Sequence, residues 1–108
     1  MNRLLFIGLT LLLAQNLLAQ TKVVYRGIAL CGTGNGMAMT LNHHRGIRAG
    51  LAWNTAVGKL VKEHNDANVL VMPARFISYR MAVSIVRAWL LTEFAGGRHK
   101  RRIDKIPV

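Results

Sequence analysis

From Gly27 onward, short apolar runs alternate with stretches of helical period, and glycines or polar turns separate them. GIALC (27–31) reads as a buried strand, and NGMAMTLNHH (35–44) as a helix with Met37, Met39 and Leu41 among its apolar positions. RAGLAW (48–53) reads as a second strand. It leads into TAVGKLVKEHN (55–65), a helix on which Val57, Leu60 and Val61 share a face and for which Asn54 is the candidate N-cap. NVLVMP (68–73) is a third strand, ended by Pro73, and YRMAVSIVRAWLLTEF (79–94) is the longest helix, with Met81, Ile85, Ala88 and Trp89 on one side. Gly96 and Gly97 are expected to stop it. Three strand–helix units in this order predict an α/β fold with a parallel sheet, and no internal repeat interrupts them.

The first twenty residues follow a different pattern. Arg3 precedes an apolar run from Leu4 to Ala14, and small or polar residues follow at Ala19 and Gln20. That order is the order of a secretory signal, although Leu17 occupies the position two before Ala19 where a small residue is usual. The run is shorter than the roughly 20 apolar residues that span a bilayer. The alternatives are a buried helix of the domain or a segment produced by a displaced start site. The expected division is therefore 1–20 as a leader-like or mis-started segment and 26–108 as the domain. Membrane attachment follows only if the leader is kept as an anchor, and export only if it is genuine.

Length and charge narrow the picture. With 108 residues there is room for one small domain, for which an oligomer interface is a natural source of further burial. One cysteine, Cys31, excludes an intrachain disulfide framework. Fifteen Lys and Arg against four Asp and Glu give +11, which points to an anionic partner. Five of those cations (Arg98, Lys100, Arg101, Arg102, Lys105) fall in the last eleven residues, either as a solvated tail or as an anion site. A nucleic-acid module is not expected, because the chain shows neither a stacking platform of aromatics nor a base-reading motif.

The candidate chemistry begins at Cys31-Gly32-Thr33-Gly34-Asn35-Gly36, where a strand runs into a glycine-rich turn and a helix. Backbone N–H groups at a helix start suit a phosphate or a developing oxyanion. The spacing is G-x-G-x-G, not the dinucleotide fingerprint, and no Walker lysine follows, so no nucleotide cofactor is expected. Cys31 at the carboxyl end of a parallel strand could be a base or nucleophile, or a small core residue. His64 could move protons, with Asn65 binding hydroxyl groups, or could simply cap a helix. His43 and His44 diverge on a helix and suggest no metal site. Arg98 and Arg102, four apart, would share one face of a helix beginning there and match phosphate geometry.

CGTGNGM, the N-x-x-x-GIRA segment from Asn42 to Ala49, EHNDANV, the Ala-Arg-Phe-Ile run around Arg75 and EFAGGRHKRRIDKI together resemble the ribose-5-phosphate isomerase B and galactose-6-phosphate isomerase family, across residues 26–108. The resemblance implies a Rossmann-like three-layer parallel sheet and a cytoplasmic, metal-free and cofactor-free aldose–ketose isomerase. Such an enzyme acts as a homodimer or homotetramer with sites shared between subunits. Cys31 would move a proton between two sugar carbons through an enediolate, held by the amides from Gly32 to Gly36 (Gly34 and Asn35 included) with Thr33 nearby. His64 would assist ring opening, Asn65 would bind sugar hydroxyls, and Arg75, Arg98 and Arg102 would hold the phosphate. The substrate implied is a phosphorylated sugar, ribose 5-phosphate first among them. Members of the family begin with a strand ending in Asp-His, then a helix, a strand and a helix, for which this sequence offers no counterpart. The expected sheet is therefore incomplete, with about three of five βα units. The competing reading is a non-catalytic truncated or exported derivative that binds an anionic partner through its basic surface.

Overall fold

The computed structural model describes residues 25–107, so the leader-like segment 1–20 lies outside the described residues. The element order is β1 (Gly27–Cys31), α1 (Asn35–Asn42), β2 (Ala49–Leu51), α2 (Thr55–Glu63), β3 (Val69–Pro73), α3 (Tyr79–Leu91) and α4 (Arg98–Ile103). The strands form one parallel sheet in the order β1-β3-β2, with Gly27 and Ala49 both level with Val69. The fold is the expected α/β arrangement of a parallel sheet flanked by helices.

β3 is central because its run VLVMP is apolar on both faces, as a doubly covered parallel strand requires. Leu70 and Met72 face a core completed by Val61 from α2, Ile85 and Trp89 from α3, and the loop residues Ala52 and Ala67. Val71 points to the other face, near Gly34 at the start of α1. Trp89 is 1% exposed, and its indole N–H donates to the Ala67 carbonyl at 3.1 Å, so the buried donor is satisfied. Gly58 is where α2 and α3 touch: a Cβ there would lie 2.9 Å from Ile85 Cγ2.

Several expectations change at the edges. GIALC is not a buried strand: Ile28 and Leu30 are each 50% exposed. In register they sit level with Leu70 and Met72, but β1 is at the sheet edge among the described residues, beyond the reach of α3's cover. Helix α1 ends at Asn42 rather than His44, because the Asn42 amide donates to the Ala49 carbonyl at 2.9 Å and accepts from the Ala49 N–H at 2.7 Å. The side chain is thereby committed to the entry of β2. On α1, Met37 and Leu41, four apart, are half-buried on one side, while Met39 between them is 74% exposed. On α2, Val61 is buried while Leu60 is 42% exposed; on α3, Ile85 and Trp89 carry the packing and Met81 stays at its rim. Asn54 caps α2 as expected, accepting from Val57 N–H at 2.9 Å.

The longest helix stops at Leu91, short of Phe94 and the two glycines. Thr92 turns extended (φ −92, ψ 137) and its hydroxyl donates to the Ala88 carbonyl at 2.6 Å. The following segment is drawn across the fold by Ala95 N–H, which donates to the Glu63 carbonyl at 3.0 Å. Gly96 and Gly97, both at positive φ, turn the chain into α4. Among the described residues no helix is long and apolar enough to cross a membrane.

Candidate active site

Parallel topology separates the candidate residues into two groups. At the carboxyl edge of the sheet, β1 ends at Cys31, a free and half-buried thiol. Its carbonyl accepts from Ala74 N–H at 2.9 Å, and the Gly32 carbonyl accepts from Arg75 N–H at 3.1 Å, so the ends of β1 and β3 remain joined beyond the strands. The Arg75 side chain lies over this turn: a Cβ on Gly32 would be 3.2 Å from Arg75 Nε and 3.3 Å from Cδ. A side chain at Gly32 would crowd the Arg75 side chain, which would have to move by a few tenths of an ångström. Thr33 Oγ1 accepts from Asn35 N–H at 3.3 Å.

Gly34, the N-cap of α1, has φ 81 and is packed so tightly that a Cβ would come within 2.3 Å of Leu51 Cδ1. Its carbonyl takes the first helical bond, from Ala38 N–H at 3.0 Å. The amides before Ala38 thus lack helical acceptors, and no acidic residue occupies the first turn. A Cβ on Gly36 would meet nothing within 4 Å, which leaves open space beside those amides. A half-buried thiol, a cation and the N–H dipoles of a helix start thus lie at the same end of the sheet, a setting suited to negative charge.

The second group sits at the opposite edge. Helix α2 runs back from the carboxyl edge, so its C-cap His64 emerges about 14 Å away along a nine-residue helix. His64 N–H donates to the Leu60 carbonyl at 2.9 Å, and Asn65 follows, exposed. The Ala95 to Glu63 bond brings α4 alongside, and the rings of His64 and His99 stack at 4.2 Å with 11° between their planes. Arg98 and Arg102 occupy successive turns of α4, both exposed. Nearby cations are already matched: Asp66 takes Arg48 at 3.0 Å and Lys62 at 2.6 Å, Glu63 takes Lys59 at 3.8 Å, and Asp104 takes Lys100 at 2.5 Å. Among the described residues neither Arg98 nor Arg102 has such a carboxylate. Partial burial holds the His99 imidazole below its ordinary value, assisted by His64, Arg98 and Arg102 and opposed by Glu63.

Within one chain, then, Arg75 falls with Cys31, Thr33 and the glycine turn. It does not join Arg98 and Arg102, with which the phosphate reading had grouped it. His99 is the residue that sequence reasoning passed over. Its one signal was its place beside Arg98 in GGRH, which by itself says nothing of a stack with a residue 35 positions earlier.

The family model described as Ribose/Galactose Isomerase matches residues 5–106. This chain belongs to that family. The match starts ahead of the stretch 26–108 on which the resemblance was read. Ribose-5-phosphate isomerase B of Escherichia coli (strain K12) is 40% identical over 80 residues, which are 74% of this chain and 54% of that protein. A solved ribose 5-phosphate isomerase from Thermotoga maritima superposes with a TM-score of 0.73 at 46% identity, over 84% of this chain and 61% of its own. Ribose-5-phosphate isomerase B from Mycoplasma genitalium, solved with bound ribulose-5-phosphate, has a TM-score of 0.73 at 41% identity, over 74% of this chain and 53% of its own. The chain spans about half the length of the curated relatives it matches.

Proposed function

We propose that residues 26–108 act as an aldose–ketose isomerase domain for a phosphorylated sugar, ribose 5-phosphate and ribulose 5-phosphate first, in a site completed by a second copy of the chain. The observation that carries this reading is the division of the candidate residues between opposite edges of the sheet. Among the described residues, Cys31 with its amide cradle is joined on its own edge by Arg75, and His64, Asn65, Arg98 and Arg102 lie elsewhere. The edge with His64, Asn65, Arg98 and Arg102 lacks the Cys31 thiol. Two copies placed edge to opposite edge supply both halves to one cleft, and a two-fold arrangement supplies them twice. The ribulose-5-phosphate held by the Mycoplasma genitalium relative supports the substrate class.

In this reading the sugar phosphate enters with its phosphate on the second copy's Arg98 and Arg102, whose forked donors suit phosphate oxygens. The second copy's His64 moves a proton during ring opening, and Asn65 beside it binds a hydroxyl. The Cys31 thiolate takes the proton from C2 of the open aldose. The C2–H electron pair forms the C1–C2 double bond, and O1 becomes the oxyanion facing the amides at the start of α1. Protonation of O1, loss of the O2 proton and return of a proton to C1 complete the ketose, with no net oxidation. Arg75 over Gly32 adds positive charge where the enediolate develops.

The test is turnover of ribose 5-phosphate by the purified chain beside Cys31→Ala. A general base contributes 10²–10⁴-fold, so the variant is expected to lose about a thousandfold in kcat. Turnover that survives the substitution contradicts the assigned base.

A further inference from the structure

His64 and His99 come from separate elements, and their rings face one another at 4.2 Å and 11°. Histidine side chains are commonly oriented by a hydrogen bond to one ring nitrogen. Among the described residues, neither imidazole forms a side-chain hydrogen bond, whereas Lys62 and Lys100, close to them in sequence, do. Stacking is therefore what sets the plane of His64, and it leaves both of its nitrogens open to a ligand. Each partner is held from behind by backbone: His64 N–H on the Leu60 carbonyl, His99 N–H on the Gly96 carbonyl at 3.1 Å, and Ala95 N–H on the Glu63 carbonyl between them. Two imidazoles in face contact cannot both carry charge cheaply, and the groups facing His99 are two arginines and His64 against one carboxylate, Glu63. Those neighbours disfavour the charged form of His99, so a flat ring of lowered basicity lies against His64.

We propose that His99 is a positioning residue: it fixes the His64 imidazole by stacking on it, beside the Arg98 and Arg102 pair, so that a sugar phosphate held there meets His64 in one orientation. This rests on the isomerase reading and goes beyond it, since His99 acts through His64 and not on the substrate.

The experiment compares the full chain with His99→Ala and His99→Phe, the second of which keeps a flat ring but has neither charge nor a ring nitrogen. Nuclear magnetic resonance of the His64 ring protons reads the stack as an upfield ring-current displacement, present in the wild type, lost in His99→Ala and kept in His99→Phe. Ribose 5-phosphate turnover is expected to follow the same order, with kcat of His99→Ala down about tenfold, KM within about twofold, and His99→Phe restored to within about threefold of wild type. Wild-type kcat in His99→Ala overturns the proposal. So does an equal rise of KM, and equal weakening of inorganic phosphate binding, in both variants, which would make His99 an anion ligand. Turnover without the displacement in the wild type sinks the stack alone. A displacement without any turnover sinks the isomerase reading together with this role.

Discussion

Gly34 shows how much a single position decides here. Its φ of 81 lies in the left-handed region, and the 2.3 Å approach of a Cβ to Leu51 Cδ1 adds overlap to backbone strain. Gly34→Ala is expected to cost about 2–4 kcal/mol, the left-handed penalty plus partial overpacking, read as a lower urea midpoint with an unchanged slope. A variant as stable as the wild type would contradict the packed turn. His99 supplies the pH prediction. Its folded value lies below the ordinary 6.5, so between the two values the unfolded chain binds more protons and stability rises with pH. The contribution is complete above 6.5 and is lost as pH falls through the lowered value. Urea midpoints measured from about pH 5 to about pH 7 should rise less in His99→Gln than in the wild type. Equal slopes in both would exclude His99 as the source.

At the scale of elements, α3 is held to the sheet chiefly by Ile85 and Trp89, one turn apart and fully buried. Trp89→Phe keeps much of the apolar contact but leaves the Ala67 carbonyl without its indole donor, so a loss of about 1–3 kcal/mol is expected in denaturant unfolding. A neutral result would mean that the hydrogen bond carries no net weight. The pattern of apolar runs already contained the three strands, the cap at Asn54 and the turn at Cys31, because each is written in neighbouring residues. What it could not contain was anything set by distant contacts. The exposure of Ile28 and Leu30 depends on strand order. The end of α1 depends on Asn42 reaching β2, and the end of α3 on Ala95 reaching Glu63. Likewise every candidate residue from Cys31 to Arg102 was visible by type, but its division between two sheet edges follows from parallel connection, and the His64–His99 stack from packing.

At the scale of the whole molecule, the proposed second copy would bring the two half-sites together and would also have apolar surface to meet. Ile28 and Leu30 on β1, and Val83, Leu90 and Leu91 on α3, are all at least 41% exposed. Burial of such surface between copies is a plain source of association free energy for a small domain. The +11 charge works against close approach of copies and in favour of an anionic ligand bound between them. The measurement that tests the shared site most directly is to mix two purified variants, Cys31→Ala and His64→Ala, each damaged in a different half. In a mixed dimer one cleft carries both substitutions and the other carries neither. With free exchange, half of the dimers are mixed, and activity on ribose 5-phosphate should recover to about a quarter of the wild-type value, far above either variant alone. A mixture that exchanges subunits yet stays as inactive as its components would contradict a site built from two copies.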